Sequence, residues 1–259
     1  MKIAVILRGG MGNQMFQYAL GRRLSIQYNA ELYLAKWFVN NTGVEIQPLS
    51  YLSDIFNINV PEISQNEIDP NWIVISDLGP FSNEHLDLFN NLKVNNNYII
   101  NGYWQNEKYI SGYEEYIRND FKLVDDIIEY PQDELIVQVR RGDYATMYKE
   151  SHLFCDTDWY IDSINKFPEC KKVIFISDDK KWCQDEFTHR LTDRSLIFKD
   201  SNVLENHIDM AHHNKFVISN STFAWWGAFY SNTCNVICPR VWLPSNKDWE
   251  TARSCWTKL

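Results

Sequence analysis

The sequence predicts an α/β protein with two Rossmann-like halves, each a parallel sheet with helices on both faces. Three observations carry that expectation. Apolar runs at residues 3–7, 135–139 (with Gln138 the one polar residue) and 173–176 show no polar alternation, as strands buried on both faces require. Stretches with helical periodicity separate such runs, and strand–helix–strand order is the order of a parallel sheet. The acidic stretch DDIIEYPQDE, Asp125 to Glu134, carries Pro131 and places a boundary near residues 125–133. The halves are then residues 1–130 and 131–259, each large enough for a core of its own.

Element by element, residues 3–7 form the first strand, RGGMGN breaks it, and residues 14–28 read as a helix. Met15, Ala19, Leu20, Leu24 and Tyr28 lie near one face of that helix. A strand at 31–34 completes a βαβ opening. Residues 40–95 are rich in Asn, Pro and Ser, and 71–76 is their best strand. A strand at 98–101 and a helix at 106–118 end the first half. In the second half the strands are 135–139, 171–177, 195–198, 215–219 and 235–238. Helices fall at 158–167, 202–213 and 222–230.

Composition narrows the function. The net charge is −9, which argues against nucleic acid as a partner, because such binders need a basic face. Aromatic residues make up 15% of the chain, with 10 Trp, which leans towards a carbohydrate ligand. The six cysteines form no CxxC pair and read as reduced thiols of a cytosolic protein. The opening apolar run, Ile3 to Leu7, is shorter than the roughly 7–15 residues of a signal core. No run approaches the roughly 20 residues of a membrane span. The glycosylation patterns at Asn40 and Asn220 are therefore read as chance matches.

Ligands of open parallel sheets sit beyond the carboxyl ends of the strands, and four stretches fall there. The first is Gly9-Gly10-Met11-Gly12-Asn13, which serves equally as a tight turn or as a phosphate contact at a helix N-terminus. It lacks the GxGxxG spacing of a dinucleotide site, which disfavours a dehydrogenase. The second is Arg140-Arg141-Gly142-Asp143. A guanidinium at a strand tip can grip a phosphate, while the next arginine points away and can pair with Asp143. The third, Ser177-Asp178-Asp179, reads better as a helix cap than as a metal site. The fourth, Asn220-Ser221-Thr222, can cap a helix and still offer donors to an oxygen-rich ligand. Behind it, Trp225 and Trp226 cannot share one face of a helix, so one at least packs in the core. His207, His212 and His213 read as partly exposed helix residues rather than as metal ligands.

Together these stretches resemble one family. GGMGNQMFQYALGRRL (9–24), GYWQNEKYI (102–110), VRRGDY (139–144), FISDDKKWC (175–183), NSTFAWWGAFY (220–230) and VICPRVWLP (236–244) are similar, in order, to blocks of the family 11 glycosyltransferases, the α-1,2-fucosyltransferases. The resemblance covers nearly the whole chain. It implies a GT-B-type fold whose two halves face a cleft, with GDP-β-L-fucose as donor substrate, bound mainly by the C-terminal half. It also implies inversion at the anomeric carbon with no metal and no cofactor. Arg140 matches the arginine that holds the diphosphate. Gly10, Gly12 and Asn13 match a loop facing the donor, and Asn220, Ser221 and Thr222 the donor-side junction. Gln138, Arg141, Ser177 and Asp178 complete the expected donor set, and Asp143 is a candidate base. Two positions depart from the family pattern: Gln138 replaces its histidine, and Asn206 follows Glu205 where a Glu-Asp pair is usual.

The function expected from this resemblance is transfer of L-fucose to the 2-hydroxyl of a galactose-containing glycan of a surface polysaccharide. The expected setting is the cytoplasm, at or near the inner membrane face, with room for a peripheral membrane contact. Two rivals stand beside it. One is a non-catalytic sugar-nucleotide binder, motivated by Gln138 and Asn206. The other is a metal-dependent glycosyltransferase using Asp178 and Asp179. Acceptor identity and oligomeric state are not legible in the residues.

Overall fold

The structure is a computed structural model, and it describes residues 1–36, 51–77, 82–123, 129–142, 155–200, 202–242 and 251–259. The chain divides into two compact units, Met1–Phe121 and Lys122–Leu259. Each holds one sheet, and every strand pairing among the described residues is parallel.

The first unit opens with β1 (Lys2–Ile6), α1 (Met11–Tyr28) and β2 (Glu31–Ala35). Helix α1 begins three residues before the expected 14. Gly9 has φ 73°, which only glycine adopts without strain, and it turns the chain so sharply that Met11 is already helical. Asn29 closes the helix in the left-handed conformation at φ 48°. Gly21 lets α1 lie flat on the sheet, since a Cβ there would stand 2.4 Å from Val5 Cγ2. Two short helices, α2 (Tyr51–Phe56) and α3 (Asn83–Asn90), occupy the weakly patterned region. Strands β3 (Ile73–Asp77) and β4 (Tyr98–Gly102) complete a sheet of order β2-β1-β4-β3. The single helix expected at 106–118 is two pieces, a 3-10 turn over Glu107–Ile110 and α4 (Glu114–Asp120). Gly112, at φ 83°, breaks the run between them.

In the second unit β5 (Glu134–Val139) is central, with β6 (Lys172–Ser177) on one side and β8 (Phe216–Ile218) on the other. Strand β7 (Ser195–Phe198) and the pair β9 (Val236–Cys238) and β10 (Thr257–Lys258) extend the sheet to the order β10-β9-β8-β5-β6-β7. Its helices are α5 (Thr157–Ile164), α6 (Lys180–Phe187), α7 (Val203–Ala211) and α8 (Thr222–Tyr230). Leu135, Val137 and Val139 of β5 pack with Tyr160, Phe175 and Phe187 in one continuous core. Ile136 of β5 and Ile174 of β6 lie on the opposite face and are buried too, so both faces of the sheet are covered, which explains the apolar runs.

Strand β10 was not legible in the sequence. It is two residues long and is held by backbone bonds from Leu259 to Cys238 (3.0 Å) and from Arg240 to Leu259 (2.8 Å). Just before it, Cys255 forms a disulfide with Cys234, 21 residues away, with Cα atoms 5.4 Å apart. This corrects the expectation that all six cysteines are reduced. The fold, rather than local spacing, brings the two together. Cys155, Cys170, Cys183 and Cys238 are free, and burial pushes the Cys155, Cys183 and Cys238 thiols up to about 12, so they are poor nucleophiles.

Candidate functional site

The carboxyl edge of the second sheet gathers most of the expected residues. The register Val139↔Ser177 sets the tips of β5 and β6 side by side. Arg140 therefore meets Asp178, with Nη1 to Oδ2 at 2.7 Å, although the two are far apart in sequence. The other Asp178 oxygen accepts the Arg141 backbone N–H at 2.8 Å. Gly142 is required by this arrangement, since a Cβ there would lie 2.6 Å from Asp178 Oδ2. Arg140 keeps about a third of its side chain exposed (35%), so the guanidinium remains reachable.

Arg141 does something different. Its guanidinium lies 4.0 Å from the centre of the Trp182 ring and 3.4 Å, through Nε, from Asp179 Oδ2. The expected partner, Asp143, lies outside the described residues, and so does its candidate role as base. The partner that the structure gives Arg141 is Asp179. Asp179 also caps α6 by accepting the Trp182 N–H at 3.1 Å, as the cap reading of this pair expected. Ser177 is buried and its hydroxyl accepts the Asp179 N–H at 2.9 Å. Thus Asp178 and Asp179 each carry an arginine.

Gln138 is buried, and its Oε1 accepts the Ser219 hydroxyl at 2.6 Å. A histidine at this place would titrate; the amide is a fixed, neutral group. Asn220 is buried and donates to the Trp242 carbonyl at 3.0 Å. Ser221 caps α8 by accepting the Ala224 N–H at 3.4 Å, and Thr222 is its first helical residue. Both tryptophans behind them are fully buried, so neither serves as a sugar platform. Trp225 stacks on Phe229 at 5.1 Å and donates to the Thr251 carbonyl at 2.8 Å.

On α7, Asn206 is buried and donates to the Asp200 carbonyl at 3.1 Å. The three histidines differ from the expectation of partial exposure. His207 and His213 are buried and only His212 is exposed. Burial pushes His207 down to about 3, so it stays neutral beside the Tyr230 hydroxyl, 3.2 Å away.

The first unit carries a second polar edge. Gly10 is the N-cap of α1, and its carbonyl accepts the N–H groups of Asn13 (3.0 Å) and Gln14 (3.1 Å). Gly12 is buried within the first turn. Asn13 Oδ1 accepts from Gln105 Nε2 at 2.8 Å, joining the glycine block to the GYWQNEKYI block. Arg8 bonds Asn101 Oδ1, and Asn101 Nδ2 donates to Ser76 Oγ at 3.1 Å. The Arg8 backbone is clamped by Gln17 through bonds of 2.9 and 3.3 Å. Arg8, Asn101, Gln105, Trp182 and Ser219 were not singled out from the sequence. Gln105 and Trp182 stand inside the blocks that carry the resemblance, which was the available signal.

Comparison with known proteins shows the family and the fold. The model of glycosyl transferase family 11 matches residues 2–252. An α-1,2-colitosyltransferase of Escherichia coli is 31% identical over 256 residues, covering 87% of this chain and 86% of that protein. The O-antigen biosynthesis glycosyltransferase WbnK of Escherichia coli is 25% identical over 305 residues, covering 98% and 99%. Among solved structures, the α-1,6-fucosyltransferase NodZ soaked with GDP-fucose aligns with a TM-score of 0.53 at 15% identity, over 88% of this chain and 91% of its own. A mutant of Arabidopsis thaliana FUT1 in complex with GDP aligns with a TM-score of 0.53 at 10% identity, over 95% and 71%. The fold is thus the GT-B-type pair of parallel-sheet halves.

Proposed function

Because this chain belongs to glycosyl transferase family 11, we propose that it moves L-fucose from GDP-β-L-fucose to the 2-hydroxyl of a galactoside in surface-polysaccharide synthesis. The observation that carries the proposal is Arg140, delivered by a buried strand to the sheet edge and oriented there by Asp178. As the C1–oxygen bond to the diphosphate breaks, negative charge builds on the departing GDP. A preoriented guanidinium stabilises that charge without first having to reorganise. The acceptor oxygen attacks the opposite face of the oxocarbenium-like ring, which inverts the anomeric carbon. Its proton passes to a base, for which Asp143 remains the candidate. With an arginine facing the diphosphate, the transfer needs no metal, and the Gln138 amide holds its place without titrating.

The 31% identity to a colitosyltransferase supports a second donor. Colitose is fucose without its 3-hydroxyl. A site that hydrogen-bonds this hydroxyl rejects the deoxy sugar by about 10⁴–10⁵, whereas an apolar contact discriminates weakly. The test is GDP release from GDP-fucose and GDP-colitose with a β-galactoside acceptor, with and without chelator, and linkage assignment of the product by NMR. Transfer of either sugar in α-1,2 linkage, unaffected by chelator, supports the proposal. Binding of both donors without transfer would establish a sugar-nucleotide binder instead. Activity lost on chelation would restore a metal.

A further inference from the structure

We propose that the Cys234–Cys255 disulfide is a reducible modification site, opened by a dithiol, and that its opening weakens nucleoside-diphosphate binding at the junction of Asn220, Ser221 and Thr222. This rests on the donor reading above and gives the donor site a chemical control. Both cysteines are exposed, so a thiolate in solution reaches the bond, whereas Cys170, Cys183 and Cys238 are buried. One thiolate of the dithiol attacks a sulfur of the bond and expels the other as a thiolate. The second thiol then attacks the mixed disulfide and releases the first cysteine. Two electrons and two protons pass to the chain, which gains two thiols, and the dithiol ends as a disulfide.

What the bond holds decides the consequence. Cys234 lies between α8 and β9, and Cys255 lies in the segment 251–259. That segment supports the junction by two routes. Through the helix, the Thr251 carbonyl accepts the Trp225 indole N–H at 2.8 Å, and Trp256 lies 5.7 Å from the same ring. The Trp225 backbone N–H in turn donates to the Ser221 carbonyl at 2.9 Å. Through the sheet, the Leu259 carbonyl accepts the Arg240 N–H at 2.8 Å, just before Trp242, whose carbonyl accepts from Asn220 Nδ2 at 3.0 Å. The segment's own grip is small. Strand β10 is a two-residue edge strand, and Trp256 is the one large side chain that the segment buries. A cross-link closing a loop of 21 residues favours the docked segment by on the order of 100-fold in the chain-entropy model. Opening it lets 251–259 leave, uncovers Trp225 and loosens both supports of the junction.

The experiment compares the full chain before and after treatment with dithiothreitol, a small dithiol, by calorimetric GDP titration and by hydrogen exchange read with mass spectrometry. A Cys234→Ser/Cys255→Ser variant supplies the open state without reductant. Expected on reduction are two new thiols, amides of 251–259 exchanging at least tenfold faster, and a GDP Kd at least fivefold higher, all reversed by reoxidation. The serine variant should match the reduced chain whether or not the dithiol is present. A GDP affinity within twofold across the oxidised, reduced and serine forms overturns the proposal and leaves the donor reading intact. A purified chain that shows six thiols before any reductant is added overturns it as well. An oxidised chain that binds no GDP refutes the donor reading instead. Exchange of residues 219–225 then decides the release by itself: tenfold faster after reduction upholds it, and unchanged exchange overturns it.

Discussion

Replacing Arg140 by alanine separates two quantities that the geometry makes unequal. The Arg140–Asp178 pair is partly exposed, with 35% and 22% of the two side chains accessible. Such pairs contribute about 0.2–1 kcal/mol. Asp178 also keeps its bond from the Arg141 N–H at 2.8 Å, so the substitution does not strand a carboxylate. The melting temperature should therefore fall by less than about 4 °C. Catalysis should suffer far more. A preoriented donor at a developing negative charge is worth roughly 10²–10³ in rate. The expected result is a fall of at least about 100-fold in kcat/KM for GDP-fucose, with weaker GDP binding by calorimetry. Arg140→Lys keeps the charge but loses the planar fork, and one charge-assisted bond is worth about 1.5–3 kcal/mol, so it should lie about tenfold or more below the wild type. An alanine variant within threefold of the wild type in both kcat/KM and GDP affinity would refute the role given to Arg140.

Three further outcomes are expected. Gly142→Ala puts a Cβ 2.6 Å from Asp178 Oδ2, so the carboxylate must move off Arg140; GDP binding should weaken several-fold in a calorimetric titration, and unchanged affinity would mean that the pair does not set it. Reducing the Cys234–Cys255 disulfide releases a loop closed over 21 residues, worth about 3 kcal/mol in the chain-entropy model, so reductant should lower the melting temperature; thiol titration in denaturant should find four reactive groups before reduction and six after. His207 is depressed to about 3 when folded against about 6.5 unfolded, so its stabilising effect is fully present above pH 6.5 and is lost as pH falls towards 3, at about 1.4 kcal/mol per unit. His207→Asn should flatten that part of a stability–pH curve measured by urea unfolding, and an unchanged slope would assign the acid loss to other groups.

Much of the fold was legible because the strands announce themselves. Residues 195–198 are a strand in the structure as the apolar run indicated, and 135–139, 171–177 and 98–101 each differ by a single residue at one end. Helix ends were less legible, since they depend on backbone angles: Gly9 starts α1 early, and Gly112 splits the helix expected at 106–118. The tryptophans illustrate another limit. One buried face is the ordinary state of a surface helix, yet α8 also receives the C-terminal segment, where Thr251 accepts from Trp225 and Trp256 lies 5.7 Å from its ring. Nothing in residues 222–230 by themselves reports a second cover supplied from 251–256.

The site was legible to the same depth and for a related reason. A sequence shows which residues stand at strand tips, and Arg140, Asp178 and Asn220 do stand there. It does not show which tips are neighbours. Local proximity offered Asp143 to Arg141, but the β5–β6 register offers Asp179, which lies 38 positions away. The same register gives Arg140 its carboxylate and makes Gly142 necessary. It also follows that the motif is one unit spread over two strands. A shift of β6 by one residue against β5 would move Asp178 off Arg140 and turn the alternating apolar side chains of β6 to the opposite face. Because Ile174 and Ile176 on the other face are buried as well, it is the close packing of Val173 and Phe175 with Tyr160 and Phe187, not burial alone, that holds the register, and the register holds the guanidinium. The apolar run ahead of the two arginines is what makes the charge at its end usable.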